Sequence, residues 1–382
     1  MNVIIIGGGI AGLTTAIALK QRGIRARVFE AARGFGPAGK GIWMSPNAMQ
    51  VLQRLGLARQ VADAGVALER VEIIDQKDGL LQTLDLRPIR DRFGHTTISI
   101  HRAALHRILQ SQLSRKTLRL GKPCRGVTVY DDAVVARFQD GSEAAGDLLI
   151  GADGLRSFVR SAVEPGSRLR YSGQSCYLGV ASLALPEESL HVAREIWGGA
   201  ARFGYSAIGP DQVYWYAPFN APARGETPVD KLLDELLARY ADFPDPALEL
   251  IRHTPPENII RTDLFDLAPL TRWWRDRVVL VGDAAHAMTP NLGQGAAQAM
   301  EDAWVLAQEL ARGEELNRAL AAYQQRRQAR VNRVVKQSRG LGKLAHQRYA
   351  LIRKARNALM RSSWQQGQVA QDLLWLYGGL DA

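Results

Sequence analysis

The chain has 382 residues, 46% of them apolar, which suits two globular domains with sizeable cores better than one. Its net charge of +11 is local: Arg318 to Arg361 carries 13 Lys or Arg and no acid, leaving 36 basic against 38 acidic residues elsewhere, so the charge gives no support to a nucleic-acid partner. No apolar run has the length of a spanning helix, no signal-peptide pattern opens the chain, and Cys124 and Cys176 form neither a disulfide framework nor a metal set; a cytoplasmic protein without a metal is expected.

In chain order, Val3 to Ile6 is a short apolar strand followed by Gly7-Gly8-Gly9-Ile10-Ala11-Gly12 and a helix to about Gly23. G-x-G-x-x-G between strand and helix is a dinucleotide fingerprint. Gly7 permits the tight turn, Gly9 lets a pyrophosphate meet the backbone, and Gly12 allows close helix–strand packing. A second strand, Ala26 to Phe29, ends in Glu30, placed to accept adenosine ribose hydroxyls and unfavourable to a 2′-phosphate. Residues 39 to 48 interrupt the doubly wound pattern and read either as a loop along an extended cofactor or as surface. Val71 to Leu86 alternates around Lys77-Asp78-Gly79 and predicts a hairpin outside the parallel sheet. His101 to Leu105 starts a helix whose Arg102 either meets the cofactor or lies on a solvated face.

Leu148 to Ile150 is another buried strand, ending in Gly151-Ala152-Asp153-Gly154. Small residues there bring backbone close to a ligand, although Asp153 could equally order the turn through its own hydrogen bonds. From Gly173 to about Arg261 the pattern becomes antiparallel: Gln174–Leu185, Glu195–Ile208 and Val213–Phe219 are strand-like, with a helix over about Val229–Tyr240. Trp197, Phe203, Tyr205, Tyr214, Trp215 and Tyr216 either wall an apolar pocket or form core, most being expected in core and one or two facing a ligand.

The stretch VVLVGDAAHAMTPNLGQGAAQAMED, Val278 to Asp302, reads as buried strand, glycine-rich turn and helix. A helix N-terminus at Gly293-Gln294-Gly295 would aim free N–H groups and a positive dipole end at a flat ligand, one that turns anionic in its cycle being stabilised; reduced flavin is such a ligand. His286 is expected to be structural. Beyond Arg318 a helix pair is expected, either packed with solvated cations or presenting an outer face to an anionic membrane. The divisions are then 1–70, 99–172 and 262–317 for the nucleotide domain, 71–98 and 173–261 for the substrate domain, and 318–382 for the basic helices.

In order and spacing, Gly7 to Gly12 with Glu30, Asp153-Gly154 with Arg156 and Ser157, and Gly282-Asp283 through Gly295 resemble the class A FAD-dependent aromatic monooxygenases. The likeness covers about residues 1 to 335. It implies an α/β fold: a Rossmann-like FAD domain with a parallel sheet, an inserted mostly antiparallel substrate domain, and C-terminal helices. It also implies non-covalent FAD, NADH or NADPH as a transient co-substrate, O2, and hydroxylation of a small aromatic or heteroaromatic substrate through a flavin C4a-hydroperoxide, in a monomer or homodimer. No second G-x-G-x-x-G unit offers the nicotinamide cofactor a domain of its own.

By resemblance, Gly7, Gly9, Ile10, Ala11, Gly12 and Glu30 hold the ADP half, Arg102 reaches the flavin side, and Asp153 and Gly154 serve FAD and nicotinamide. Asp283 bonds the ribityl chain, Gly293, Gly295 and Ala296 contact the pyrimidine edge, and Pro290 lines the reaction cavity. Arg202 and Tyr214 resemble a substrate-side pair in urate hydroxylase. Rival expectations are an epoxidase or tetracycline-type inactivator of the same family, a flavin oxidase or dehydrogenase, and a non-catalytic FAD-binding protein.

Overall fold

The computed structural model describes residues 1–36, 40–225 and 227–381, so Gly39, the first residue of the interrupting loop, lies outside it. The apolar run at the N-terminus forms the strand Asn2–Ile6, flanked in parallel by Arg25–Phe29 and Leu148–Gly151. Val278–Leu280 adds in parallel beyond Leu148–Gly151, Leu118–Arg119 adds beyond Arg25–Phe29, and Trp274–Arg275 closes one edge in the antiparallel sense. Continuous burial along Leu148–Gly151 and Val278–Leu280 follows from covering both faces. Helices Ile10–Gln21 and Gly295–Leu310 pack together on this sheet, and a three-stranded antiparallel sheet within 124–146 also joins the core, Phe138 stacking on Phe29 at 4.6 Å.

The second sheet has seven strands in the order Ile260–Leu267, Leu169–Ser182, Gln212–Asn220, Arg202–Gly209, Val192–Trp197, Arg70–Asp75 and Gly79–Asp85. All neighbours are antiparallel except Val192–Trp197 with Arg70–Asp75. The hairpin around Lys77-Asp78-Gly79 is therefore the edge of this sheet.

Three expectations need correction. The sheet extends past 173–261, because Leu169 pairs with Leu267; Gly173, at φ +84°, sits in a register irregularity inside one long strand and does not begin it. Glu195–Ile208 is two strands turning between Trp197 and Arg202. The basic segment is three helices, Leu316–Ala345, Ala350–Met360 and Ser363–Tyr377, and many of its cations are answered by acids from elsewhere: Arg326, Arg327, Arg330, Arg333, Arg339 and Arg356 are all in ion pairs, with Arg327 and Arg356 almost fully buried. No described helix is long and apolar enough to cross a membrane. A small antiparallel sheet of Gly41–Met44, Thr97–His101 and Gly65–Leu68 was not anticipated and places Trp43 between the two large sheets.

Candidate cofactor and substrate site

The cradle at the end of the parallel sheet is built mostly of backbone. Gly7 turns at φ +106°, its N–H donating to the Phe29 carbonyl at 2.8 Å, and a Cβ there would strike the Ala152 carbonyl at 2.3 Å. At Gly12 a Cβ would lie 1.9 Å from the Gly7 oxygen, so both positions are glycine for packing. Gly9 is different: its φ of −72° suits any residue, and a Cβ there would meet no atom of the described residues within 4 Å. Nothing among the described residues requires a glycine at that point, and the open space fits a ligand that comes against the backbone. Ile10 and Ala11 begin the helix, and Ala11 packs against Gly282, where an added Cβ would approach Ala11 and Ala299 to 3.0 Å.

The Glu30 carboxylate already accepts the N–H groups of Gly8 at 2.6 Å and Ala32 at 2.8 Å, fixing the turn from the end of the second strand. Asp153 is committed as well. Its oxygens accept from the Ser157 hydroxyl, the Phe158 N–H at 2.7 Å and the Val159 N–H at 3.1 Å, so its side chain orders the turn while its backbone abuts Gly7. Gly154 continues that turn at φ +76°.

The other end of the cradle is the turn after Val278–Leu280. Asp283 opens a short helix, and a Cβ on Gly295 would lie 3.9 Å from its Oδ1, so the carboxylate faces the N-terminus of Gly295–Leu310 across the gap. Its surface is wet in the open cleft although protein surrounds it; desolvation raises its pKa, a pressure that grows when the gap is filled. Pro290 is exposed to the cleft, Ala296 is half-buried, and Gly293, at φ +62°, donates to the Pro290 carbonyl beside the Trp43 ring. Arg102, at the start of helix Arg102–Ser111, makes no side-chain hydrogen bond or ion pair among the described residues, yet its charge is felt at Asp283 and Tyr214. That is an uncommitted cation between cradle and second sheet.

The second sheet supplies a wall of buried side chains. Arg202, 2% exposed, donates from Nη1 to Glu195 Oε1 at 2.7 Å and from Nη2 to Asn291, the residue after Pro290. Its Nε has no hydrogen-bond partner among the described residues. Glu195 also accepts from Trp197 Nε1 at 2.7 Å and from the Tyr216 hydroxyl at 2.6 Å. Burial pushes the Glu195 carboxyl up, but Arg202 and these donors outweigh it and hold it below the ordinary value; burial and Glu195 push the Tyr216 phenol well above its own. At neutral pH the cluster is therefore carboxylate, guanidinium and neutral phenol.

Alternation along Gln212–Asn220 buries Trp215 in core and turns Tyr214 and Tyr216 toward the cradle side. Trp197, Phe203 and Tyr205 are fully buried, as expected for most of these rings. Tyr214 does not bond Arg202; it packs where Gly41 leaves room, its ring 5.9 Å from that of Tyr216. Trp43 meets Tyr216 edge-on and donates to Ser206 at 2.9 Å.

Behind the cradle lies a polar network that the sequence did not reveal. Asp302 accepts from the Gly282 N–H at 2.9 Å, from Arg327 Nε at 2.8 Å and from His286, so His286 is structural, with its Nδ1 unbonded. Glu301 joins Asn47, Arg327 and Arg330, and Asn47 reaches Gln294 of the glycine turn at 3.0 Å. Only the Glu301-Asp302 pair inside an apolar helix hinted at this.

Residues 1–338 match the FAD binding domain family. The chain belongs to the class A FAD-dependent aromatic monooxygenases. Among its relatives is the aurachin C monooxygenase/isomerase of Stigmatella aurantiaca, to which the monooxygenase is 38% identical over 361 residues, 94% of each chain. The 2-heptyl-3-hydroxy-4(1H)-quinolone synthase of Pseudomonas aeruginosa is 34% identical over 366 residues, again 94% of each. In structure the monooxygenase superimposes on Klebsiella pneumoniae HpxO complexed with FAD and uric acid with a TM-score of 0.90 at 29% identity, covering 100% of this chain and 96% of that one. It is an FAD-dependent enzyme, and NAD(P)H with O2 is the reaction pattern typical of its family.

Proposed function

We propose that the monooxygenase hydroxylates an aromatic or heteroaromatic ring bearing a hydrogen-bond-accepting oxygen. The observation that carries this is Arg202: a buried guanidinium, held on two sides by Glu195 and Asn291, with Nε unbonded. A buried donor without a partner is unfavourable unless a ligand completes it. Bound FAD supplies hydride acceptance from NADH or NADPH and the activation of O2.

The chain's own residues bind and orient. Gly9 leaves room for the pyrophosphate, Gly7 and Gly12 with Ile10 and Ala11 shape the turn, and Glu30 holds it from beside the ribose position. Gly293, Gly295 and Ala296 present the helix N-terminus to the flavin edge, where developing negative charge is stabilised. Asp283 and Arg102 lie on the ribityl and ring sides, and Asp153 and Gly154 fix the turn beside Gly7. Pro290 lines the cavity, Tyr214 and Tyr216 wall it, and apolar rings there exclude water. Because Glu195 is ionised and bonded on several sides, it positions Arg202 and does not take a proton.

The partner set in this reading is a small aromatic molecule and O2, in a cytoplasmic monomer or homodimer. The test is a panel of phenols, quinolones and purines read by stimulated NAD(P)H oxidation together with product mass. One added oxygen on one class supports the reading. Reduction of the flavin by the ring itself, without NAD(P)H, overturns it.

A further inference from the structure

Helix Ala350–Met360 is amphipathic in the wrong sense for a helix packed on a soluble core. Its buried side carries Arg356, Asn357 and Met360. Arg356 donates to Asp75 at 3.2 Å and lies 4.9 Å over the Trp197 ring, and Asn357 donates to Asp78 at 2.9 Å. The outward side carries Leu351, 83% exposed, with Ile352 and Leu359 each about half exposed. Positions 351, 352, 355 and 359 fall on one face at helical spacing, and Tyr349, 71% exposed, extends it at the N-terminal end. Ordinary folding places such residues against the core. Here the polar side is spent inside and the apolar side is left over.

Cations flank this face. Lys343, Arg348 and Lys354 are exposed and outside every ion pair of the described residues, in contrast to Arg326, Arg327 and Arg330 on the preceding helix. No acid occurs between Arg318 and Arg361 to answer them.

We propose that this face docks peripherally on an anionic lipid surface. Apolar residues entering the headgroup boundary and lysines meeting lipid phosphates are the two contributions that hold an interfacial helix. A second copy of the chain fits less well: a two-fold contact through this face would bring the cations of one copy, Lys343, Arg348 and Lys354, toward the same set on the other, with no acid between Arg318 and Arg361 to answer them. At 11 residues the helix lies on the surface and does not span it.

The position links docking to the site. Trp197, beneath Arg356, donates to Glu195, which holds Arg202. The docking helix thus forms the outer layer behind the substrate wall, an arrangement suited to an aromatic substrate with an apolar tail drawn from a bilayer. Docking itself stands apart from the proposed reaction, since sedimentation and turnover are read separately.

The experiment is co-sedimentation of FAD-loaded protein with vesicles of phosphatidylcholine alone and of phosphatidylcholine mixed with phosphatidylglycerol, at low and high salt. Binding to the mixed vesicles, weakened by salt, is expected. Lys354→Gln should lower the partition coefficient about fivefold, matching about 1 kcal/mol per near-surface cation. Leu351→Ser with Leu359→Ser should lower it roughly tenfold or more while leaving the protein folded and yellow. Absent or equal binding to both vesicle types overturns the proposal, as does binding that the double variant leaves unchanged. A dimer in light scattering that the same double variant splits also overturns it, assigning the face to a second copy.

Discussion

The two halves of the site are made of different material. The cradle is backbone and empty space: at Gly9 and Gly295 the protein places no side chain, and a helix end supplies the electrostatics. The wall opposite is side chain, with Arg202, Glu195, Tyr216 and Trp197 tied to one another and to Asn291. A ligand held by backbone can be the same in every relative, because few substitutions alter it. A ligand held by a side-chain network changes with each member of that network. On the proposed reading, the constant cofactor belongs to the first region and substrate choice to the second.

The largest effect is expected at Gly9. Gly9→Val puts a branched side chain into the open space, and FAD affinity should fall at least about 100-fold, about 2.7 kcal/mol, giving folded but colourless protein by absorbance and circular dichroism. Gly12→Val, aimed at a backbone oxygen 1.9 Å away, should misfold instead. If both variants behave alike, the cradle is packing only.

Next is Glu195→Ala, which leaves Arg202 charged, buried and without its carboxylate. Stability should fall by about 3–5 kcal/mol in denaturant titration, with FAD content preserved in the folded fraction. Loss of flavin in that fraction would mean the two regions are not separable.

A pH titration sharpens the same contrast. Burial, with Arg202 nearby, pulls the His346 pKa from 6.5 down to about 4, its ring resting against the Gly342 and Pro218 carbonyls. A depressed histidine favours the folded state above its unfolded pKa, and that stability drains as pH falls from 6.5 toward 4. The loss should be on the order of 3 kcal/mol, and His346→Gln should flatten that part of the stability profile. An unchanged profile would mean that burial does not depress the His346 pKa in the folded protein.

The smallest expected effect is at Asp283. Asp283→Ala should leave folding nearly unchanged and lower product formed per NAD(P)H oxidised by roughly threefold to tenfold, about 1 kcal/mol of misplacement. An unaltered ratio would make the carboxylate a turn residue only.

The difference in material also explains what the sequence could show. Gly7 to Gly12, Glu30 and Gly282 through Gly295 act locally, each turn joining a strand to the helix that follows it, so spacing along the chain reports geometry in space. The parallel strands were legible for the same reason, being buried on both faces. Arg202 and Asn291 lie 89 positions apart, and Glu195 enters the wall only because a turn after Trp197 folds its strand onto Arg202. Tyr214 and Tyr216 share one face of their strand, yet the sequence does not tell which of them meets the charged pair: Tyr216 reaches Glu195, while Tyr214 fills the space beside Gly41. The long strand through Gly173 is hidden in the sequence because a glycine within a strand pattern reads as a break, whereas here the register slips and pairing resumes.

The division of labour is tested most directly in one sample of Glu195→Gln, which keeps the shape of the side chain and removes its charge. With FAD content and product per NAD(P)H measured together at saturating aromatic substrate, the account predicts wild-type flavin content and a yield lowered at least about tenfold. Loss of flavin in proportion to activity, or a wild-type yield, would contradict it.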